Sequence, residues 1–269
     1  MRTWRTSGLI LELACLFLAA GASSAAGTAP AETPKQRAPI DLTGYWVSII
    51  TEDWRWRMVT PPKGDYASVF PLNDKGRQLA DTWDPDRDTA NGNQCKAYGA
   101  GGIMRMPTRV HVDWEDDYTL RLQTDAGKQT RRFYFDASKV KPSDASSLQG
   151  VSIAEWVGIA QERFLTQTLP GAITHLKVVT TQMSPGYLRK NGVPYSSKAV
   201  LTEYFDIEKG FDNSQQWFTV TSIVEDPEYL TGPFITSSDF KRLDANTGWH
   251  PEPCKTGWGP LPVDPRLQR

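Results

Sequence analysis

Residues 109–136 read RVHVDWEDDYTLRLQTDAGKQTRRFYFD, and apolar and polar side chains alternate along them in three runs. The runs cover residues 109–115, 118–123 and 129–136, with Asp116-Asp117 and Asp125-Ala126-Gly127 between them. Alternation with a period of two is typical of a half-buried β-strand, and tight turns join such strands into hairpins. The stretch therefore predicts an antiparallel meander of three strands.

Strand-like runs continue on both sides of this meander, at residues 45–50, 151–157, 173–183, 199–206, 217–224 and 234–240. Short helices are expected at 73–83 and 158–170. The chain contains no Gly-rich loop between a strand and a helix and no repeat of fixed period, which disfavours a nucleotide-binding fold and a propeller. Closure hides the edges of so many strands. The prediction is an all-β protein: one antiparallel up-and-down barrel of about 8–10 strands with one or two short helices.

The composition limits the class of protein. In 269 residues, 30 basic and 31 acidic side chains nearly cancel, and 39% of residues are hydrophobic. Such a chain has enough apolar surface for a core, so it is not mostly disordered. The balanced charge also gives no reason to expect a nucleic-acid partner.

The N-terminus resembles a secretory signal. Arg2 and Arg5 precede an apolar run over residues 8–20, and small residues at 24–26 form a cleavage signal. A retained membrane anchor is the alternative, although a spanning helix needs about 20 apolar residues. The chain carries no second long apolar run, so no integral span is expected after signal removal. A periplasmic or secreted protein is predicted.

The predicted organisation has three parts. Residues 1–26 are the signal peptide, residues 27–40 are a disordered Pro-rich linker, and residues 41–269 are the barrel domain with a Pro-rich tail. Signal removal leaves Cys95 and Cys254, which in an oxidising compartment most simply form one disulfide. The alternative is a pair of metal ligands, but CxxC, HxxxH and HExxH motifs are missing from the sequence and it has only three His. No metal or cofactor is therefore predicted.

Three short motifs carry a resemblance to a known family. Gly44-Tyr45-Trp46 is similar to the G-x-W that opens the first strand of lipocalins, and Thr202-Glu203-Tyr204 is similar to their T-D-Y. The resemblance implies a barrel with a ligand cavity, in which Arg242 packs on Trp46. The strings at residues 94–107, 185–196 and 202–206 also resemble uncharacterised exported bacterial proteins, a resemblance that implies no function.

Two carboxylates interrupt apolar strand faces. Glu155 follows Val151 and Ile153 on one face, and Glu203 lies between Leu201 and Phe205. If these faces point into the barrel, burial favours the neutral carboxyl group, and the pair could divide acid and base roles. The alternative is that each Glu pairs with a buried Arg or lies at the barrel rim. The pattern places Arg105 as the nearest candidate partner.

His111 shares a strand face with Arg109 and Asp113, and Arg121 belongs to the matching face of the next strand. One interpretation places the opposite face, with Val110, Val112 and Trp114, inside the barrel. The other interpretation turns the polar set inward, where it would line a site for a polar or anionic ligand.

The aromatic residues suggest ligand walls. Trp54 and Trp56 alternate with Arg55 and Arg57, and aromatic rings interleaved with Arg stack on flat ligands. Core packing is the alternative. The expected walls of a cavity are Trp54, Trp56, Trp114 and Tyr204, and the Gly-rich residues 96–107 are either a flap over its mouth or a plain connector.

Three functions follow from these features. The first is an exported barrel that binds a small apolar or aromatic molecule. The second is a cofactor-free isomerase, hydratase or lyase in which Glu203 and Glu155 transfer protons while Arg105 or His111 stabilises charge. The third is a structural protein of the cell envelope with a filled core.

Overall fold

In the computed structural model, nine strands of the described chain close into a barrel, and a separate hairpin packs beside them. The structure describes residues 31–51, 54–66, 70–158, 174–209 and 215–257. From Glu32 onward the described residues belong to one compact unit. The predicted signal peptide, nearly all of the predicted helix at 158–170 and the end of the tail lie outside the described residues. None of the described helices is long and apolar enough to cross a membrane.

The strands follow one another around the barrel in an order that departs from the order of the chain. The barrel strands are β1 (Gly44–Ile49), β2 (Arg109–Asp116), β3 (Thr119–Thr124), β4 (Thr130–Tyr134), β5 (Val151–Gly158), β6 (Thr174–Thr181), β9 (Val200–Lys209), β10 (Gln216–Glu225) and β11 (Phe234–Leu243). The hairpin is β7 (Gly186–Arg189) and β8 (Val193–Tyr195). The ring runs β1-β11-β10-β9-β6-β5-β4-β3-β2 and closes between β2 and β1.

The barrel is mixed rather than purely antiparallel. β4 and β5 are parallel neighbours, with Phe133 opposite Ser152 and Tyr134 opposite Ile153. Strand directions can alternate all the way around a closed ring only if the number of strands is even. Nine strands therefore require a parallel pair, and the prediction of an antiparallel up-and-down barrel is wrong on this point. The predicted meander is confirmed, because β2, β3 and β4 pair antiparallel in sequence order.

The barrel interior is filled with aromatic and aliphatic side chains. Trp46, Phe133, Phe205, Phe218 and Phe240 are all buried in one cluster. Stacked and tilted ring contacts join Phe133 to Phe205, Phe205 to Phe218 and Phe218 to Phe240. Such ring pairs add to the stability given by burial of their apolar area.

The contact implied by the lipocalin resemblance is present. The indole Nε1 of Trp46 donates a hydrogen bond to the Leu42 carbonyl at 2.9 Å. The Arg242 guanidinium lies 5.1 Å from the centre of the Trp46 ring, although Arg242 belongs to the last strand rather than following it. The closed barrel is compatible with a lipocalin-like architecture.

Short helices and the β7–β8 hairpin form a layer beside the barrel, which we call the cap. Its helices are α2 (Asp74–Asp81), α3 (Pro85–Ala90), a 3₁₀ turn (Lys96–Tyr98) and α4 (Ala100–Ile103); α1 (Trp54–Arg57) precedes them in the chain. The predicted helix at 73–83 is confirmed as α2. It begins where the side chain of Asn73 accepts a hydrogen bond from the Gly76 amide, which satisfies a donor of the first turn. Residues 96–107 are thus part of a packed layer.

Residues 32–40, part of the segment 27–40 for which the composition predicts a disordered linker, contact the barrel at two points. Pro34 is buried, and its carbonyl accepts a hydrogen bond from Trp156 Nε1 at 2.9 Å. The Lys35 amide also donates to the Asp117 carbonyl. These contacts offset the entropy lost when the segment is ordered.

The predicted disulfide between Cys95 and Cys254 is confirmed. It joins the start of the 3₁₀ turn to the C-terminal segment, residues 250–257. In that segment Glu252 forms a bridge with Ala126 at the end of the barrel.

Candidate functional site

Glu203 faces the barrel interior, where it is engaged by an arginine from another strand. Arg131 Nη1 and Nη2 donate to its two carboxylate oxygens at 3.0 and 2.5 Å. Both side chains are 0% exposed. Thr180 accepts a further bond from Arg131 and lies 2.8 Å from the Ser152 hydroxyl. Glu203 is therefore paired with a buried Arg, and the partner is Arg131 rather than Arg105.

Glu155 lies on the outside of the barrel. Its side chain is 58% exposed, and it accepts a hydrogen bond from Lys177 at 2.8 Å. Ser152 and Ala154, on the opposite face of β5, are buried, whereas Ile153 on the same face as Glu155 is exposed. Since Glu203 points inward and Glu155 outward, the structure does not bring the two carboxylates together.

The charged candidates also lie apart. Arg105 precedes β2, where its carbonyl accepts a bond from Arg57 and its guanidinium lies 5.3 Å from the Phe234 ring centre. His111 is on the outer face of β2, stacked on Tyr45 with ring centres 4.2 Å apart. Val110 and Val112 on the opposite face are buried, so the interpretation that turned His111 inward is wrong.

The four predicted aromatic walls lie at separate places in the described structure. Trp54 is 56% exposed on α1. The Arg189 guanidinium lies 4.8 Å from the centre of the Trp56 ring. The Trp114 ring stacks on Phe135. Tyr204 is opposite Lys177 in the register, on the outer face of β9.

A cavity in the cap brings polar and aromatic side chains together; we call it the cap pocket. Its volume is about 260 Å³, and α2, α3 and the β7–β8 hairpin enclose it. It is lined by Leu79, Thr82, Trp83, Arg87, Asp88, Asn91, Asn93, Lys96, Pro185, Gly186, Tyr187, Pro194, Tyr195 and Tyr229. Ligand sites are concave and have a few convergent polar groups among aromatic walls, as here.

Asp88 is the polar centre of the cap pocket. The residue is 5% exposed, and its carboxylate accepts a hydrogen bond from the Tyr187 hydroxyl at 2.8 Å. Lys96 Nζ lies 3.8 Å from the other carboxylate oxygen and 5.5 Å from the Tyr187 ring centre. Burial and the hydrogen bond to Asp88 raise the pKa of Tyr187, and its hydroxyl is the donor in that bond.

The helix that carries Asp88 is fixed by its own N-terminus. Asp84 accepts hydrogen bonds from the amides of Asp86 and Arg87 at 2.9 and 3.1 Å, and Pro85 is the first helical residue. Proline is favoured there because its missing N–H would have no partner in the helix. The backbone that presents Asp88 and Arg87 is therefore rigid.

The cap pocket has an excess of positive charge. Arg87 and Lys96 outnumber the single carboxylate of Asp88 among the lining side chains. Asn91 and Asn93 supply amide donors, and Trp83, Tyr187 and Tyr229 supply ring surfaces. An anionic group on a flat ring fits this combination, because cations bind the anion while rings pack on its face.

A much smaller chamber adjoins the cap pocket, which we call the inner chamber. It measures about 10 Å³ and shares Trp83, Asp88, Asn93 and Tyr187 with the cap pocket. Lys190 is a further lining residue. The two cavities are thus neighbours across common side chains.

Lys190 is a buried lysine at the inner chamber. Its Nζ lies 3.3 Å from the Tyr98 hydroxyl and 5.0 Å from that ring's centre. Burial, with a smaller repulsion from Lys255, lowers the pKa of Lys190 to about 7. Tyr98 is held by Lys255, whose amide donates to the phenol oxygen while the hydroxyl donates to the Lys255 carbonyl.

A larger groove of about 570 Å³ lies over β1 and β2. Its buried carboxylate, Asp125, accepts bonds from the Thr108 hydroxyl and the Arg109 amide, which fixes the start of β2. His250 at its edge is 81% exposed. The polar groups of this groove form hydrogen bonds with neighbouring backbone groups or face solvent. The cap pocket is therefore the stronger candidate for a ligand-binding site.

Comparisons with protein-family models, curated proteins and solved structures find no match to the chain. Among the described residues, no group of three or more His, Cys, Asp or Glu is placed to hold a metal ion. The inference about function therefore rests on the charged, polar and aromatic side chains that line the cap pocket.

Sequence reasoning missed Asp88, Lys96, Tyr187 and Lys190 as site residues. Asp88 and Tyr187 are 99 positions apart, and no local pattern joins them. The sequence does carry one signal nearby: Asn191-Gly192 is typical of a two-residue hairpin turn, and Lys190 lies directly before it.

Gly192 fits this turn for two reasons, and its replacement by Ala is expected to cost roughly 3 kcal/mol of stability. Its φ is +84°, and a Cβ there would lie 2.3 Å from the Trp83 Cβ. Gly64→Ala is the control, because Gly64 has φ +86° and no heavy atom of the described chain within 4 Å of such a Cβ. That variant is expected to lose only about 1 kcal/mol in urea unfolding. Equal losses would show that the contact with Trp83 contributes nothing.

Proposed function

We propose that the protein is an exported binding protein that holds a small anionic molecule with a flat ring in the cap pocket. The observation that carries the proposal is the convergence of Asp88, Lys96 and Tyr187 in a cavity of about 260 Å³ with aromatic walls. Export is supported by the signal-like N-terminus and by the Cys95–Cys254 disulfide.

The ligand is expected to lie in the cap rather than in the barrel. The rings that fill the barrel belong to one buried cluster, whereas the cap pocket leaves space between charged groups. Binding is preferred over proton transfer by Glu203 and Glu155 because these two side chains lie on opposite faces of the barrel wall.

Titration calorimetry with benzoate and with benzyl alcohol tests the proposal. The two probes share a ring and differ in charge, so benzoate is expected to bind about tenfold or more tightly. Native mass spectrometry of protein from the exported fraction is expected to show a small anion that leaves on denaturation.

Lys96→Ala is expected to weaken benzoate binding by about 10- to 100-fold, because a charge-assisted contact is lost. Lys139→Ala is the matched control, since Lys139 is an exposed lysine outside the cap. Equal affinity for the two probes, or equal effects of the two variants, would contradict the proposal. Failure of both probes to bind would favour a structural protein.

A further inference from the structure

We propose that Lys190 is a carbonyl-capturing amine, which forms a reversible imine with an aldehyde group on a ring-bearing anion bound in the cap pocket. The inference rests on the proposed function, because the cap pocket must first hold the anion. It adds a covalent site and a substrate class, an aromatic aldehyde with a carboxylate.

The arrangement of the two cavities supports this role. Lys190 lines the inner chamber, and the chamber shares four side chains with the cap pocket. A space of about 10–15 Å³ holds one water molecule, so it also accommodates a carbonyl oxygen of similar size. The proposal places the ring in the cap pocket with its carbonyl group toward this chamber.

The protonation state of Lys190 suits the chemistry. With a pKa of about 7, a large fraction of the side chain is a neutral amine at pH 7.5. An exposed lysine with a pKa of about 10.4 is neutral in only about one molecule in a thousand at that pH. Lys255 and Tyr98 face the amine from the C-terminal segment and the 3₁₀ turn. Asp88, which lines both cavities, is 3.8 Å from Lys96, which lines the cap pocket only.

The reaction balances without an oxidant or reductant. The Lys190 lone pair adds to the carbonyl carbon, the C=O electron pair moves to oxygen, and a proton passes from nitrogen to that oxygen. Loss of this oxygen as water, with a second proton from nitrogen, leaves the C=N bond. The Tyr98 hydroxyl oxygen, 3.3 Å from Lys190 Nζ, accepts a hydrogen bond from the amine and so holds it in place beside the inner chamber.

The test uses the full chain with its disulfide intact and 4-formylbenzoate as the probe. Sodium cyanoborohydride traps the imine, and peptide mass spectrometry maps the modified lysines over time. At pH 7, Lys190 is expected to be modified up to about 1000-fold faster than the exposed Lys139, in line with the difference in neutral amine between a lysine of pKa about 7 and an ordinary one. Its rate should level off above pH 7, whereas the rate at an ordinary exposed lysine keeps rising with pH.

Controls separate the two proposals. An excess of benzoate should slow modification of Lys190 and leave Lys139 unchanged. Lys190→Met should abolish the fast phase; if that variant does not fold, the mapping in the unmodified sequence decides. If benzoate binds but Lys190 reacts no faster than Lys139, the imine role is overturned and the binding function stands. If benzoate does not bind and Lys190 is not modified, both are overturned.

Discussion

Replacement of Glu203 by Gln is expected to destabilise the protein by about 3–5 kcal/mol, because removing one partner leaves the other charge buried. Arg131 is 0% exposed, and both oxygens of Glu203 accept its guanidinium hydrogen bonds. The amide of Gln keeps the size of the side chain but supplies only one acceptor and no negative charge. The free energy of unfolding in urea measures the loss.

Glu155→Gln is the matched control for this variant. Glu155 is an exposed glutamate in a barrel strand, and its ion pair with Lys177 is at the surface. Surface ion pairs contribute about 0–1 kcal/mol, so this change should have little effect. A loss at Glu203 no larger than that at Glu155 would mean that Arg131 does not depend on Glu203.

Replacement of both Arg131 and Glu203 by apolar side chains tests whether the stability loss comes from an unpaired buried charge. Arg131→Met combined with Glu203→Met is expected to recover most of the stability lost by Glu203→Gln, because no buried charge remains. Folded Glu203→Gln protein should also bind benzoate with unchanged affinity, since Glu203 is not among the residues that line the cap pocket.

The alternation of side chains predicted the strands well but their faces less well. In β2 the faces differ clearly, and the apolar set with Val110 and Val112 is buried. In β5 both faces contain apolar residues, so the pattern of residues 151–157 does not decide between them. Ser152 faces inward because Thr180 from β6 bonds to it and Arg131 bonds to Thr180. Such non-local partners have no signature in a single strand.

The order of the barrel strands and the place of the cap pocket could not be predicted from sequence patterns, because both also depend on contacts between distant parts of the chain. Periodicity shows where a strand is, but the parallel pairing of β4 with β5 depends on the path of residues 135–150 between them. The cap pocket joins α3 to a hairpin about one hundred residues later in the chain. The disulfide was predictable because signal removal would leave only two cysteines, so the pairing needed no knowledge of the fold.

Removal of the disulfide is expected to lower stability by roughly 4–5 kcal/mol in the chain-entropy model. Cys95 and Cys254 are separated by 159 positions, so the bond closes a long loop in the unfolded chain. The double variant Cys95→Ser with Cys254→Ser is measured in urea beside the unmodified protein, each with and without a dithiol reductant. The reductant should destabilise the unmodified protein to the level of the variant and leave the variant unchanged.

The same variant should loosen the C-terminal segment at the cap. Lys255 is next to Cys254 in the chain. Its backbone amide donates a hydrogen bond to the Tyr98 hydroxyl, and its backbone carbonyl accepts one from that hydroxyl. Without the disulfide, hydrogen exchange is expected to speed up at the Lys255 amide, while the Thr180 amide in β6 should exchange at its former rate under native conditions. A stability loss below about 1 kcal/mol with unchanged exchange at Lys255 would contradict both effects. In that case the bridge to Ala126 and the contacts with Tyr98 would hold the segment without the covalent bond.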